Sequence, residues 1–118
     1  MEELRIMMNA KVRDLLNQQI NKELYSAYLY LDFSNYYEQR GLNGFANWYK
    51  IQAMEERDHA MLFYQYLQNN NQKVTLEAIA KPDKEFTCDM DPLKAGLAMA
   101  SSSIFSPLFC RYCKNSIA

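Results

Sequence analysis

Glu23, Glu56 and His59 occupy positions where helical periodicity calls for apolar side chains. Glu56 and His59 form a Glu-x-x-His pair, so they project from one side of a helix about a turn apart. A carboxylate buried without a partner costs several kcal/mol or shifts its pKa until it is neutral. A bound cation removes that cost. Carboxylates beside an imidazole make a borderline donor set that suits iron, manganese or zinc. Inward-facing oxygen and nitrogen donors at mid-helix are also how a helical bundle holds a metal centre.

The plainer reading has its own support. A Glu-x-x-His pair arises often by chance, and a helical histidine is commonly satisfied by a nearby carboxylate, here Glu55 or Asp58. What favours metal is Glu23, a third donor at matching depth on another helix. Tyr30 follows Glu23 by seven residues on the same seam. It could hydrogen-bond a ligand or pass an electron, or it could be a core tyrosine with its hydroxyl on a partner. Met54, Met61 and Trp48 read most simply as packing residues. Cys110 and Cys113 form one Cys-x-x-Cys, but no second pair completes a zinc site and no strand precedes it.

Two long helices must position these groups. The first is predicted from about Ala10 to about Gln39, with Asn9 as N-cap and Gly41 as stop. Its seam is Leu16, Ile20, Glu23, Ala27, Tyr30, Ser34 and Tyr37, in alternating steps of four and three. The second starts after Asn43 and ends at the Asn69–Asn71 cluster, with a seam of Phe45, Tyr49, Gln52, Glu56, His59, Phe63 and Tyr66. The short link between them makes an antiparallel hairpin. From Gln72 to Phe86 the composition suggests an extended crossover. Asp91-Pro92 then reads as an N-cap and first helical residue of a third helix, whose pattern fails soon after LKAGL.

Composition narrows the function classes. The 118 residues suit one domain, and 49% apolar content argues against disorder. Few glycines and prolines favour long helices. Thirteen basic and fourteen acidic residues give a net charge of -1, with no nucleic-acid signal. The uncharged run Ala95–Cys110 is too short and serine-rich to span a bilayer, and MEELRIMMNAK lacks the apolar core of a secretory signal. Three cysteines fit a reducing compartment. The expected setting is the cytoplasm, with no membrane and no nucleic-acid partner.

The segments LLNQQINKELYSAYLYL (15–31) and EERDHAMLFYQYL (55–67) resemble the first and second helices of bacterial-type non-haem ferritins, and the similarity continues through KPDKEF into DPLKAGL. The resemblance implies an all-α fold: the first half of a ferritin-like four-helix bundle, spanning residues 8–97 as an N-terminal di-iron half-domain. Ferritins are cages of such subunits that oxidise Fe(II) at a di-iron ferroxidase centre with dioxygen or peroxide and store it as mineral. By this resemblance Glu23, Glu56 and His59 match the ligands of the first iron, with Glu56 bridging to the second. Tyr30 matches the tyrosine beside the centre and is the expected catalytic residue.

The departures lie in the last stretch. Soon after DPLKAGL the family carries a His-Glu pair, the Glu being a second-iron ligand; here those positions are Met99 and Ala100. Residues 98–118 form an atypical tail, and Met1–Ile6 resemble an addition, so a truncated or frameshifted subunit is expected. Such a chain could join the family's cage or remain an inactive two-helix fragment. It could also self-associate as a dimer of hairpins, which would present Glu23, Glu56 and His59 twice and complete the donor set by symmetry.

Overall fold

The computed structural model describes residues 9–102. Three helices occur in it: α1 (Ala10–Gln39), α2 (Asn43–Asn69) and α3 (Asp91–Ser102), with no strand among the described residues. The predicted boundaries of α1 are observed; α2 begins at Asn43, one residue earlier than predicted, and ends at the predicted asparagine cluster. Asn9 caps α1, its side chain accepting a hydrogen bond from the Lys11 N–H at 2.8 Å. At the other end the Leu42 N–H donates to the Tyr37 carbonyl and the Gly41 N–H to the Glu38 carbonyl, at 2.9 and 3.1 Å. This Schellman pattern needs a left-handed residue, which Gly41 supplies at φ 74°. Helix α2 ends in the same way, with Asn71 at φ 55° and the Gln72 N–H reaching the Leu67 carbonyl at 2.9 Å.

Helices α1 and α2 pack as an antiparallel pair. The seam predicted for α1 is the buried one, from Ile20 through Glu23, Ala27, Tyr30 and Ser34 to Tyr37. The seam predicted for α2 is rotated. Its buried residues are Ala46, Tyr49, Ala53, Ala60, Phe63 and Leu67, and Glu56 falls in step with them. Phe45, Gln52, His59 and Tyr66, seven apart, form a flanking row; Phe45 and Tyr66 are about half exposed. The alanines on the seam let the backbones approach while the large rings fill the space between turns. Trp48, Met54 and Met61, expected as packing residues, are also about half exposed.

The core has two parts. Near the hairpin loop, Ala27, Tyr30, Phe33 and Tyr37 meet Ala46, Tyr49 and Ala53, covered by Phe86 and Leu93. At the far end Ile20 meets Ala60, Phe63 and Leu67, covered by Val74. The extended crossover ties both parts together. Asn17 accepts from the Thr75 N–H at 2.8 Å near the start of α1. At the loop end Tyr36 and Arg40 converge on the Asp89 carboxylate at 2.9 and 3.0 Å, and the Tyr37 hydroxyl donates to the Asp89 carbonyl at 2.7 Å.

Helix α3 therefore starts beside the hairpin loop. Asp91 is its first residue, not its N-cap. The Asp91 carboxylate reaches backward, accepting from the Thr87 and Cys88 N–H groups at 2.8 and 3.2 Å. These bonds hold its pKa down at about 2. The helix continues through Ser102, past the point where its apolar pattern weakens.

Candidate metal centre

Glu23, Glu56 and His59 lie between the two parts of the core. Each offers a donor atom, and the three atoms fall within 4.8 Å of one another; no other such group of acidic, histidine or cysteine side chains occurs among the described residues. Helix α1 brings Glu23, which is 1% exposed. Helix α2 brings Glu56 and His59 from successive turns, their side chains 14% and 18% exposed. His59 Nδ1 lies 3.7 Å from Glu23 Oε2 and 3.6 Å from Glu56 Oε2. Both separations permit Coulomb attraction and exceed hydrogen-bond length.

The carboxylates are under-satisfied. Glu23 Oε1 accepts from Gln19 Nε2 at 3.3 Å. Glu23 Oε2 and Glu56 Oε2 are buried and accept no hydrogen bond. Native interiors rarely leave buried carboxylate oxygens in this condition, and an ion is one of the standard reasons. Asp58, considered from sequence as a partner of His59, pairs instead with Arg57 at 3.1 Å on the surface. The donor set therefore fits a cation: two carboxyl oxygens and an imidazole converge inside a helix pair.

Electrostatics separates the two acids. Burial pushes Glu23 up to about 8; His59 and Gln19 pull it back, while Glu56 pushes it further. Burial also acts to raise Glu56, but the neighbouring His59 and Glu23 outweigh it and the net shift is downward. The pair thus holds one proton, carried by Glu23. A metal cation would displace that proton.

Tyr30 is 8% exposed and stacks on Tyr49, with ring centroids 5.7 Å apart at 29°. Burial, followed by the charge of Glu56, pushes its phenol up to about 12. Gln19 was missed in the sequence reading. Its signal was available: it lies four residues before Glu23, the spacing at which helical side chains meet. Met99, which stands where the resemblance expects the histidine of a His-Glu pair, packs on the aromatic cluster. Cys110 and Cys113 lie outside the described residues.

A Ferritin-like domain model matches residues 13–102. Bacterial non-heme ferritin of Staphylococcus saprophyticus is 35% identical over 92 residues, covering 78% of this chain and 55% of that protein. Its counterpart in Campylobacter jejuni is 36% identical over 85 residues, covering 72% and 51%. Among solved structures, a humanized archaeal ferritin superposes with a TM-score of 0.71 at 38% identity, over 75% of this chain and 54% of that one. An open-pore ferritin from Archaeoglobus fulgidus gives 0.71 at 36%, with the same coverage. The chain spans about half the length of the curated relatives it matches. The expected hairpin, crossover and start of a third helix are thus those of a ferritin-like bundle, and the chain belongs to the ferritin family, of the bacterial non-haem type.

Proposed function

We propose that Glu23, Glu56 and His59 bind Fe(II) and that this chain takes part in its oxidation and storage as a ferroxidase of a di-iron type. The observation that carries the reading is the pair of buried carboxylate oxygens, Glu23 Oε2 and Glu56 Oε2, that accept no hydrogen bond while facing the same imidazole. Iron is the substrate here. The protein neutralises its charge, fixes its position and leaves coordination positions open for dioxygen or peroxide. Tyr30 lies on the Glu23 seam and serves as an electron donor next to the metal.

Three donors make half of a di-iron carboxylate site. The second half requires the same motif from two more helices. A second copy of the hairpin supplies it, with the apolar flanks of α2 as the contact, and the assembled state takes a two-metal site. Assembly into the family's cage is the alternative setting, and the proposed location is the cytoplasm. Among the described residues no helix is long and apolar enough to cross a membrane.

The test is an anaerobic Fe(II) titration of the purified chain, followed by addition of oxidant, with the assembled mass measured by sedimentation at each stage. Iron binding, oxidation and an iron-promoted shift to a dimer or larger assembly are expected, since metal favours the state that binds it. Glu56→Ala should lose binding and oxidation while keeping apo helicity. A well-folded monomer indifferent to iron overturns the proposal. A second reading, a two-helix fragment that associates without oxidising iron, draws on Ala100 standing where the resemblance expects a glutamate ligand of the second iron. It predicts no oxidation before or after the Glu56 change.

A further inference from the structure

Two adjacent glutamines on α1 have opposite surroundings. Gln18 is exposed, as glutamine usually is, while Gln19 is 5% exposed. Gln19 stands one turn before Glu23, next to the Ile20 that meets Ala60, Phe63 and Leu67. An apolar side chain would fill that place without desolvation cost, whereas a buried amide costs free energy unless it is hydrogen-bonded. The Gln19 amide donates to Glu23 Oε1 at 3.3 Å. Glu23 Oε2 accepts no hydrogen bond and lies 3.7 Å from His59 Nδ1. The two oxygens of one carboxyl group therefore differ: one is held from within α1, and the other faces the donors of α2.

We infer that Gln19 is a positioning residue that restricts Glu23 to offering a cation one oxygen, Oε2, an inference that rests on the iron-binding reading above. A carboxylate can bind through one oxygen or through both, and rotation about its last side-chain bond decides which. With Oε1 engaged by the amide, that rotation is opposed. A cation that meets one oxygen from each glutamate and one imidazole nitrogen keeps positions for an oxidant. A Glu23 bound through both oxygens takes one of those positions. Outer partners of this kind fix ligand orientation and coordination number.

The residue type suits the task. A lysine or arginine would hold Oε1 more strongly, but its charge would offset the carboxylate charge that attracts the cation. The amide is neutral, so it orients the carboxyl group and leaves that charge available. At 3.3 Å the bond is at the long end of its range, with room to shorten when Glu23 is a metal-bound carboxylate.

The experiment compares the full chain with Gln19→Met, which keeps the side-chain length and removes the donor. Co(II) alone is the first probe, because its visible bands weaken as its coordination number rises. Fe(II) loaded anaerobically and then mixed with oxidant is the second. The variant should bind both metals, with weaker Co(II) absorption per bound ion, and should oxidise bound Fe(II) about 10–100-fold more slowly. Apo stability should change little, since the volume is conserved. Gln19→Leu should give the same spectrum and serves if the first variant fails to fold. A lowered urea midpoint with an unchanged Co(II) spectrum per bound ion means that Gln19 is only a structural residue, and overturns the inference. A changed spectrum with an unchanged oxidation rate overturns it as well. Should the unsubstituted chain bind iron without oxidising it, the Co(II) comparison decides alone. Absence of metal binding by the unsubstituted chain overturns the iron-binding reading together with this one.

Discussion

The aromatic cluster at the hairpin loop and the polar layer one turn below it are built by the same two helices. In the cluster, buried polar groups have partners. Ser34 donates to the Ala46 carbonyl at 2.7 Å and Tyr37 to that of Asp89. Phe33, fully buried, meets Tyr30, Tyr49 and Phe86 with ring centroids 5.8, 5.3 and 5.4 Å away. In the polar layer, Glu23 Oε2 and Glu56 Oε2 accept no hydrogen bond. One region stabilises the fold by burial, and the other draws on that stability to hold charge in a place water does not solvate. The contrast teaches that the layer is maintained by its neighbours on both sides and not by its own contacts.

The largest effect expected is at the centre of the cluster. Phe33→Ala removes a ring packed on three others and should destabilise the chain by about 3–5 kcal/mol, as deletion of a buried aromatic does. Urea denaturation without metal checks it. A loss no larger than that of a surface substitution would show that the cluster does not support the hairpin.

The polar layer should respond in the opposite sense. Glu23 keeps its proton up to about pH 8 in the folded chain, against 4.5 as its ordinary value. Its contribution to apo stability is therefore fully present below about pH 4.5 and is lost as pH rises through about 8. Glu23→Gln should flatten this decline, whose total exceeds the roughly 1.4 kcal/mol equivalent to one pKa unit. The same variant should lose iron affinity. In the unsubstituted chain, affinity should increase with pH over that window, because binding releases the proton. Denaturation across pH, with and without metal, separates the two effects.

The helix ends offer a finer comparison. Gly41 and Asn71 close α1 and α2 with the same left-handed cap. Gly41→Ala should cost about 1–2 kcal/mol, the penalty of placing a Cβ in that conformation. Asn71→Gly should stabilise by less than about 1 kcal/mol, since asparagine already tolerates it. Thermal denaturation of both variants measures the difference; equal effects would mean that the caps do not limit the hairpin.

Much of this was legible in the residues. The α1 seam, both caps and the hairpin link followed from spacing and from Gly41, because a long helix repeats its periodicity often enough to define one face. The α2 seam was displaced toward Phe45, Gln52, His59 and Tyr66. That helix carries large side chains on two adjacent rows, and spacing cannot say which row meets α1 and which flanks it. Asp91 was placed one position early, because its carboxylate serves the turn before the helix instead of the helix itself. Gln19 was passed over because a glutamine on a seam carries no chemistry until its neighbour is known.

The sequence by itself determined that two long helices would form, that they would pair, and that Glu23, Glu56 and His59 would share one depth. Those properties depend on local periodicity and on the rise of an α-helix. Tertiary structure alone decided which row of α2 faces α1, that the two carboxylate oxygens would be left without donors, and that Tyr30 would stack on Tyr49 beside an exposed Trp48. These are relations between helices. They depend on rotation of one helix about its axis, a degree of freedom that packing sets and spacing along the chain does not encode.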